Sequence, residues 1–202
     1  MLSPYKDQLD KMKIVLGSSS PRRRELLSKE CNFEVIPSNF DESTINPSMF
    51  ANPSEFVRTQ AKKKCEELVS RVKDADLIIT ADTIVFIDNQ ILGKPGTHEK
   101  AYEMIKTLNN RSHSVETGVY ITMPKKGKSS SFSVTTSVHF DDLPDSVIRA
   151  YANSDDPLDK AGAYGYQSGA MSLIKKIDGD FANVVGLPLN EVCKQIARLL
   201  NE

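Results

Sequence analysis

The stretch that most constrains the fold is Ile14-Val15-Leu16-Gly17-Ser18-Ser19-Ser20-Pro21-Arg22-Arg23-Arg24-Glu25-Leu26-Leu27. It reads as a short buried strand, a Gly/Ser loop and a helix opening at a proline. Ser20 suits the N-cap and Pro21 the first helical position, where a missing N–H costs nothing. Arg22 and Arg23 then fall in the first turn, where a cation is misplaced against the helix dipole by about 0.3–1 kcal/mol. Two such cations beside free backbone N–H groups point to a missing anion. Phosphate comes first, since helix N-termini and arginine forks both bind it. The plainer alternative is a solvated basic turn.

A length of 202 residues suits one domain or one two-lobed domain able to bury a good core. Its 26 basic and 27 acidic side chains leave a formal net charge of -1, which argues against a general nucleic-acid or membrane binder but not against a local basic pocket. Cys31, Cys65 and Cys193 are odd in number and far apart, so neither a zinc site nor a disulfide framework is indicated. Residues 1–12 lack a signal-peptide core and no run is long enough to span a bilayer, so a cytoplasmic protein with a polar N-terminal arm or short helical turn is expected.

The rest of the chain reads as alternating strands and helices. A short strand at 33–36 leads into a Ser/Asn/Pro-rich connector holding the adjacent acids Asp41 and Glu42, in isolation a surface turn. Apolar residues at helical spacing predict a helix over 54–72 capped by Ser54. Its Lys62, Lys63 and Lys64 read first as a solvated face, but they span most of a turn, and Lys64 lies on the side of Ala61, Cys65 and Leu68, which points it inward toward a partner. The run from Leu77 reads as a buried strand ending on Asp82. A carboxylate at a strand's carboxyl end is a candidate base or metal ligand, with an Asx-turn as the alternative. A hairpin about Asp88-Asn89 would pair Ile87 with Gln90 and, counting outward, Thr83 with Lys94, bringing Lys94 beside Asp82. An Asp–Lys pair there is either a salt bridge or a base with its charge neutraliser.

Thr97 caps a helix to about residue 109, and 112–123 and 129–140 form a longer hairpin. His113 and His139 read as strand-surface residues and His98 as a helix start, with no metal-ligand spacing. Pro144 opens a helix to 153. In the following Gly-rich segment Lys160 supplies a cation, Tyr164 a stacking ring and Gln167 an amide that can read a base edge; the alternative is a packed Gly-rich turn. A strand over 171–177, a turn at 178–180 and a loop with an amphipathic helix close the chain.

Together these fragments describe one cationic pocket with two acids, Glu42 and Asp82, matching a nucleoside triphosphate held with a divalent ion. Neither a P-loop nor a G-x-S-x-G nucleophile is present. Direct attack of water on phosphorus, with Asp82 as base and pyrophosphate leaving, is the economical mechanism.

SSSPRRRELL, FDE, ADTIV, GKP, DKAGAYGYQ and NVVGLPL, in this order, resemble the Maf family of nucleoside triphosphate pyrophosphatases from about Lys13 to the end. The ending is similar to the Maf portion of acetylserotonin methyltransferase-like protein. The resemblance implies an α/β fold like that of inosine triphosphate pyrophosphatases: two lobes, a twisted mixed sheet flanked by helices, and a cleft between the lobes. It implies hydrolysis dependent on Mg²⁺ or Mn²⁺ and usually a homodimer. By motif, Asp82 matches the proton acceptor, and Arg22 and Arg23 the phosphate-contacting arginines. Glu42 and Lys94 match acidic and basic pocket positions, and Lys64 the helix lysine. Arg22, Thr83 and Gln167 match positions linked to base specificity. Ser18 and Lys160 complete the substrate-binding set, and Glu42 with Asp82 the metal set. DKAGAYGYQ looks like the branch acting on dTTP and UTP, with modified pyrimidine nucleotides as further substrates. Two other readings stand beside this one: a non-catalytic nucleotide-sensing module in growth or division control, and a phosphomonoesterase.

Overall fold

Eleven residues without a breaker, Leu77–Ile87, form the strand around which the sheet is ordered. In the computed structural model, which describes residues 1–202, the chain runs α1 (Lys6–Leu9), β1 (Ile14–Leu16), α2 (Pro21–Leu27), β2 (Glu34–Val35), α3 (Pro53–Arg71), β3 (Leu77–Ile87), β4 (Gln90–Leu92), α4 (His98–Leu108), β5 (Ser112–Met123), β6 (Lys128–Phe140), α5 (Asp145–Ala152), β7 (Ile174–Asp178), α6 (Phe181–Val185) and α7 (Leu189–Asn201), with short 3₁₀ turns between. The seven strands form one mixed sheet in the order β2-β1-β3-β5-β6-β7, with β4 paired to the second half of β3. β1 is parallel to both β2 and β3, while β3–β4 and β6–β7 are antiparallel. This is the α/β sheet flanked by helices that the sequence predicts. The chain divides into two compact units, residues 1–82, 117–134 and 186–202 in the first and 83–116 and 135–185 in the second, so that β3, β5 and β6 each contribute to both.

In the first unit, Val15, Cys65, Leu68, Val72, Ala75 and Ile78 form a closed apolar cluster beneath Ile36, Val69 and Tyr120. Helix α3 lies directly on backbone: a Cβ on Gly118 would come within 2.4 Å of the Val57 carbonyl. Its N-cap is Asn52, whose side chain accepts from Glu55 N, with Pro53 in the first turn. Both Asn52 and Ser54 can cap, but Pro53 suits the first helical position, which sets the cap two residues earlier than Ser54. The N-terminal segment is helical at Ser3–Tyr5 and in α1, with Leu2 and Leu9 buried.

In the second unit, β3 turns into β4 at Asp88 and Asn89, both with positive φ, as a two-residue hairpin of the primed type requires. The apolar core gathers Val85, Ile87, Ile105, Leu108, Val138, Phe140, Ile148 and Tyr151. Three expectations are corrected here. β3 does not end at Asp82, because Thr83 to Ile87 are all β-branched or aromatic and continue the strand. β7 begins at Ile174 rather than 171, since residues 169–173 coil as a 3₁₀ turn burying Ala170 and Leu173, three apart rather than two. His113 is not on the surface but 4% exposed, packed edge-on against Phe140 and Tyr164.

Candidate active site

Asp82 is the last β3 residue of the first unit and lies within the strand. Its mid-strand place removes the Asx-turn alternative and leaves a carboxylate 7% exposed. Such a group is costly to bury unless paired. Its partner is Lys64, also 7% exposed, whose Nζ donates to Asp82 Oδ1 at 2.7 Å. The same ammonium lies 3.1 Å from Glu42 Oε1, and the Glu42 side chain remains more than half exposed. Helix α3, strand β3 and the connector thus deliver one residue each to a single point, and Lys64 faces inward as its helical position predicts.

Gln60, one turn before Lys64 on α3, is 2% exposed and donates through Nε2 to the backbone carbonyl of Glu42 at 3.0 Å. Two turns further on, Glu67 accepts from Ser38 Oγ and Asn39 N, both at 3.0 Å, and from Arg71. The Arg71 guanidinium leads the causes that pull the Glu67 carboxyl down to about 2. Helical spacing places Gln60 in the inward stripe of α3 but assigns it no site role. Its only signal is a polar residue inside an apolar helical stripe, four before a buried lysine.

The loop after β1 brings the second cation close. Ser20 caps α2 by accepting from Arg23 N. The Arg23 side chain then turns back into the protein: Nη1 donates to Ser18 Oγ at 3.1 Å and to the carbonyl of Ala81 at 2.9 Å, and Nε donates to Gly186 O at 2.8 Å. Arg23 therefore braces the backbone next to Asp82. Burial pulls its pKa below the usual arginine value, and the charges of Asp82 and Glu42 oppose that shift. Ser18, 7% exposed, also accepts from Ser20 N. Arg22 is half-buried and makes no hydrogen bond or ion pair.

The remaining candidates belong to the second unit. Thr83 continues β3, half-buried. The β3–β4 ladder stops at Val85 and Leu92, so the extrapolated pairing of Thr83 with Lys94 does not form, and Lys94 is exposed. Gln167 is exposed on the Gly-rich segment, with no hydrogen bond within the protein. Lys160 is buried and turned to its own turn, donating to Asp156 O and pairing with the carboxylates of Asp159 at 2.8 Å and Asp156 at 3.2 Å. The segment is held further by Tyr164 Oη, 2.6 Å from His113 Nε2, and by left-handed backbone at Gly162 and Ala163.

No three His, Cys, Asp or Glu side chains converge as a metal cage. Glu42 and Asp82 nevertheless bring two carboxylates to one cation, the hard-oxygen donor type that Mg²⁺ or Mn²⁺ takes. Such ions usually bind through one or two carboxylates, with substrate phosphates and water completing the shell. The donor set fits a divalent ion held together with a polyphosphate. No helix is long and apolar enough to cross a membrane.

The chain is also similar to known proteins. The "dTTP/UTP pyrophosphatase" of Clostridium botulinum (strain Eklund 17B / Type B) is 44% identical over 183 residues, covering 90% of this chain and 96% of its own. The human "Probable bifunctional dTTP/UTP pyrophosphatase/methyltransferase protein" is 39% identical, covering 98% of this chain and 34% of its own length. A solved HAM1 protein from Coxiella burnetii superposes over 94% of this chain and 98% of its own with a TM-score of 0.48 at 12% identity. The family model described as Maf-like protein matches residues 13–199, a span that takes in β1 with its arginine loop, the Lys64–Asp82 pair and the Gly-rich segment, and the chain belongs to the Maf family.

Proposed function

We propose that this chain is a nucleoside triphosphate pyrophosphatase. It takes dTTP, UTP and modified pyrimidine triphosphates and releases the nucleoside monophosphate and pyrophosphate. The observation that carries this reading is the buried Asp82 carboxylate held at 2.7 Å by Lys64, with Glu42 on the same ammonium. The names of the curated relatives support the substrate class.

In this mechanism Asp82 accepts a proton from the attacking water while the water oxygen bonds to the α-phosphorus and the bond to the bridging oxygen breaks. Lys64 keeps the carboxylate oriented and faces the negative charge that develops on the phosphoryl oxygens. When bound at Glu42 and Asp82, a divalent ion supplies further charge neutralisation for the triphosphate. Arg22, without an internal partner, is the arginine available to a phosphate. Arg23 and Ser18 contribute by fixing the loop and the Ala81 carbonyl beside the base. Lys94 adds a free cation. Thr83 and Gln167 contact the nucleobase, and Lys160 acts through the segment it braces. The functional form is taken as a homodimer, which sedimentation at several concentrations tests.

The experiment is a panel of nucleoside triphosphates, methylated bases included, assayed with Mg²⁺ or Mn²⁺ for the first phosphorus product. Pyrophosphate from dTTP and UTP ahead of purine triphosphates is the expected result. Orthophosphate as first product, or a nucleotide that stays bound and unhydrolysed in the presence of metal, overturns the reading in favour of a phosphomonoesterase or a sensing module.

A further inference from the structure

We propose that Gln60 is a positioning residue for Glu42. Its buried amide clamps the connector to α3, so that the Glu42 carboxylate reaches the Lys64–Asp82 pair. The proposal deepens the pyrophosphatase reading and rests on it.

The connector is anchored to α3 along one stripe, at positions 60, 64, 67 and 71, which helical geometry places on the same side. Arg71 donates to Pro37 O at 2.9 Å, and Glu67 holds Ser38 and Asn39. The next anchor is the bond from Gln60 Nε2 to Glu42 O. Beyond it the capping bonds are local: Asp41 caps Ser43 and Asn46 caps Ser48. Without Gln60, the turn bearing Glu42 would keep only its internal bonds and an ion pair with Lys64 that is exposed at the Glu42 end. A carboxylate more than half exposed is held only weakly by such a pair, since solvent screens its end of the bond.

Gln60 does not read as a stability residue. Its Oε1 is buried with no hydrogen-bond partner. The amide cannot turn to relieve this, because Oε1 would then face the Glu42 carbonyl. A buried acceptor left unmade is destabilising, so an apolar residue of the same size relieves that cost while giving up the bond to Glu42 O, and the two effects offset. A buried amide with one bond made and one unmade adds little to folding, and what its one bond does is place its partner. That partner is the backbone carbonyl of the residue whose carboxylate completes the cluster.

Gln60→Met keeps length and volume while removing the donor. Its expected signature is a kcat for dTTP about 10- to 100-fold lower, the usual range for residues that orient metal-binding ligands. KM and the thermal midpoint should both stay close to wild type. In the protein without metal or nucleotide, amide exchange at Thr44 and Ile45, whose N–H groups bond to Asp41 O and Glu42 O, should speed up. Combined with Glu42→Ala, Gln60→Met should add no further loss, because it acts through Glu42. Unchanged kcat and exchange in Gln60→Met overturn the proposal. So does a loss of kcat matched by a loss of thermal stability, or full additivity in the double variant. If wild type itself releases no pyrophosphate, the enzymatic reading fails instead; the exchange measurement on the unliganded protein still tests the clamp.

Discussion

Each unit buries one lysine, and the two make nearly the same bonds to opposite effect. Lys64 and Lys160 are 7% and 8% exposed, and each faces two carboxylates within about 3 Å. The partners of Lys160, Asp156 and Asp159, lie four and one residues before it in the same turn. Those of Lys64 come from β3 and from the connector, each about twenty residues away in sequence. A lysine satisfied by its own turn braces that turn. A lysine that gathers carboxylates from separate elements marks a point where the fold has brought two acids onto one cation. Burial and ion pairing are the same in both; the origin of the partners separates support from site.

The sharpest way to break this contrast is Asp82→Asn, which keeps shape and removes the base. kcat should fall about 10²- to 10⁴-fold, measured as pyrophosphate release, with nucleotide affinity retained; near-wild-type turnover would return Asp82 to a structural role. Next, Lys64→Met should cost about 3–5 kcal/mol in urea unfolding, because Asp82 is left buried without its charge partner. Lys160→Met should cost less, since Asp159 is mostly exposed and Tyr151 still donates to Asp156. Equal costs would erase the distinction.

Acid should separate the units in the same sense. Burial, with His139 nearby, lowers His113 in the second unit to about 3. A depressed base contributes stability above its unfolded value of 6.5 and loses it as pH falls toward 3, at up to about 1.4 kcal/mol per unit. Glu67 in the first unit, lowered to about 2 from 4.5, contributes above 4.5 and loses only below it. Amide exchange between pH 6 and 5 should therefore loosen the segment around Tyr164 before the connector around Asn39; the reverse order would contradict both assignments. The smallest effect is at Gln167→Ala, expected to narrow discrimination between pyrimidine triphosphates about tenfold in kcat/KM through one lost hydrogen bond, without moving the thermal midpoint.

Much of this was legible in the residues. The β1–loop–α2 unit, the inward face of Lys64 and the Asp88-Asn89 hairpin follow from apolar spacing, helical periodicity and turn chemistry, all local signals. What escaped depends on tertiary neighbours. Arg22 and Arg23 are indistinguishable in sequence, yet Arg23 meets the carbonyls of Ala81 and Gly186 and Arg22 meets none. His113 sits in a strand whose apolar alternation says nothing of the rings of Phe140 and Tyr164 beside it. The continuity of β3 through Asp82 is hard to read because an aspartate ordinarily disfavours a strand interior; here its carboxylate is paired with Lys64.

Helix α3 rests on naked main chain at Gly118, with no side-chain thickness between them. That contact works as a spacer of zero width. It sets the gap that a four-carbon ammonium stem must bridge to reach β3, and nothing at the seat can be trimmed to bring the helix nearer. A substituent at Gly118 would have to displace the Val57–Arg58 main chain, the turn of α3 that leads to Gln60 and Lys64. A position with no polar atoms of its own and no contact with substrate thereby acts as the calibration screw of the charge cluster.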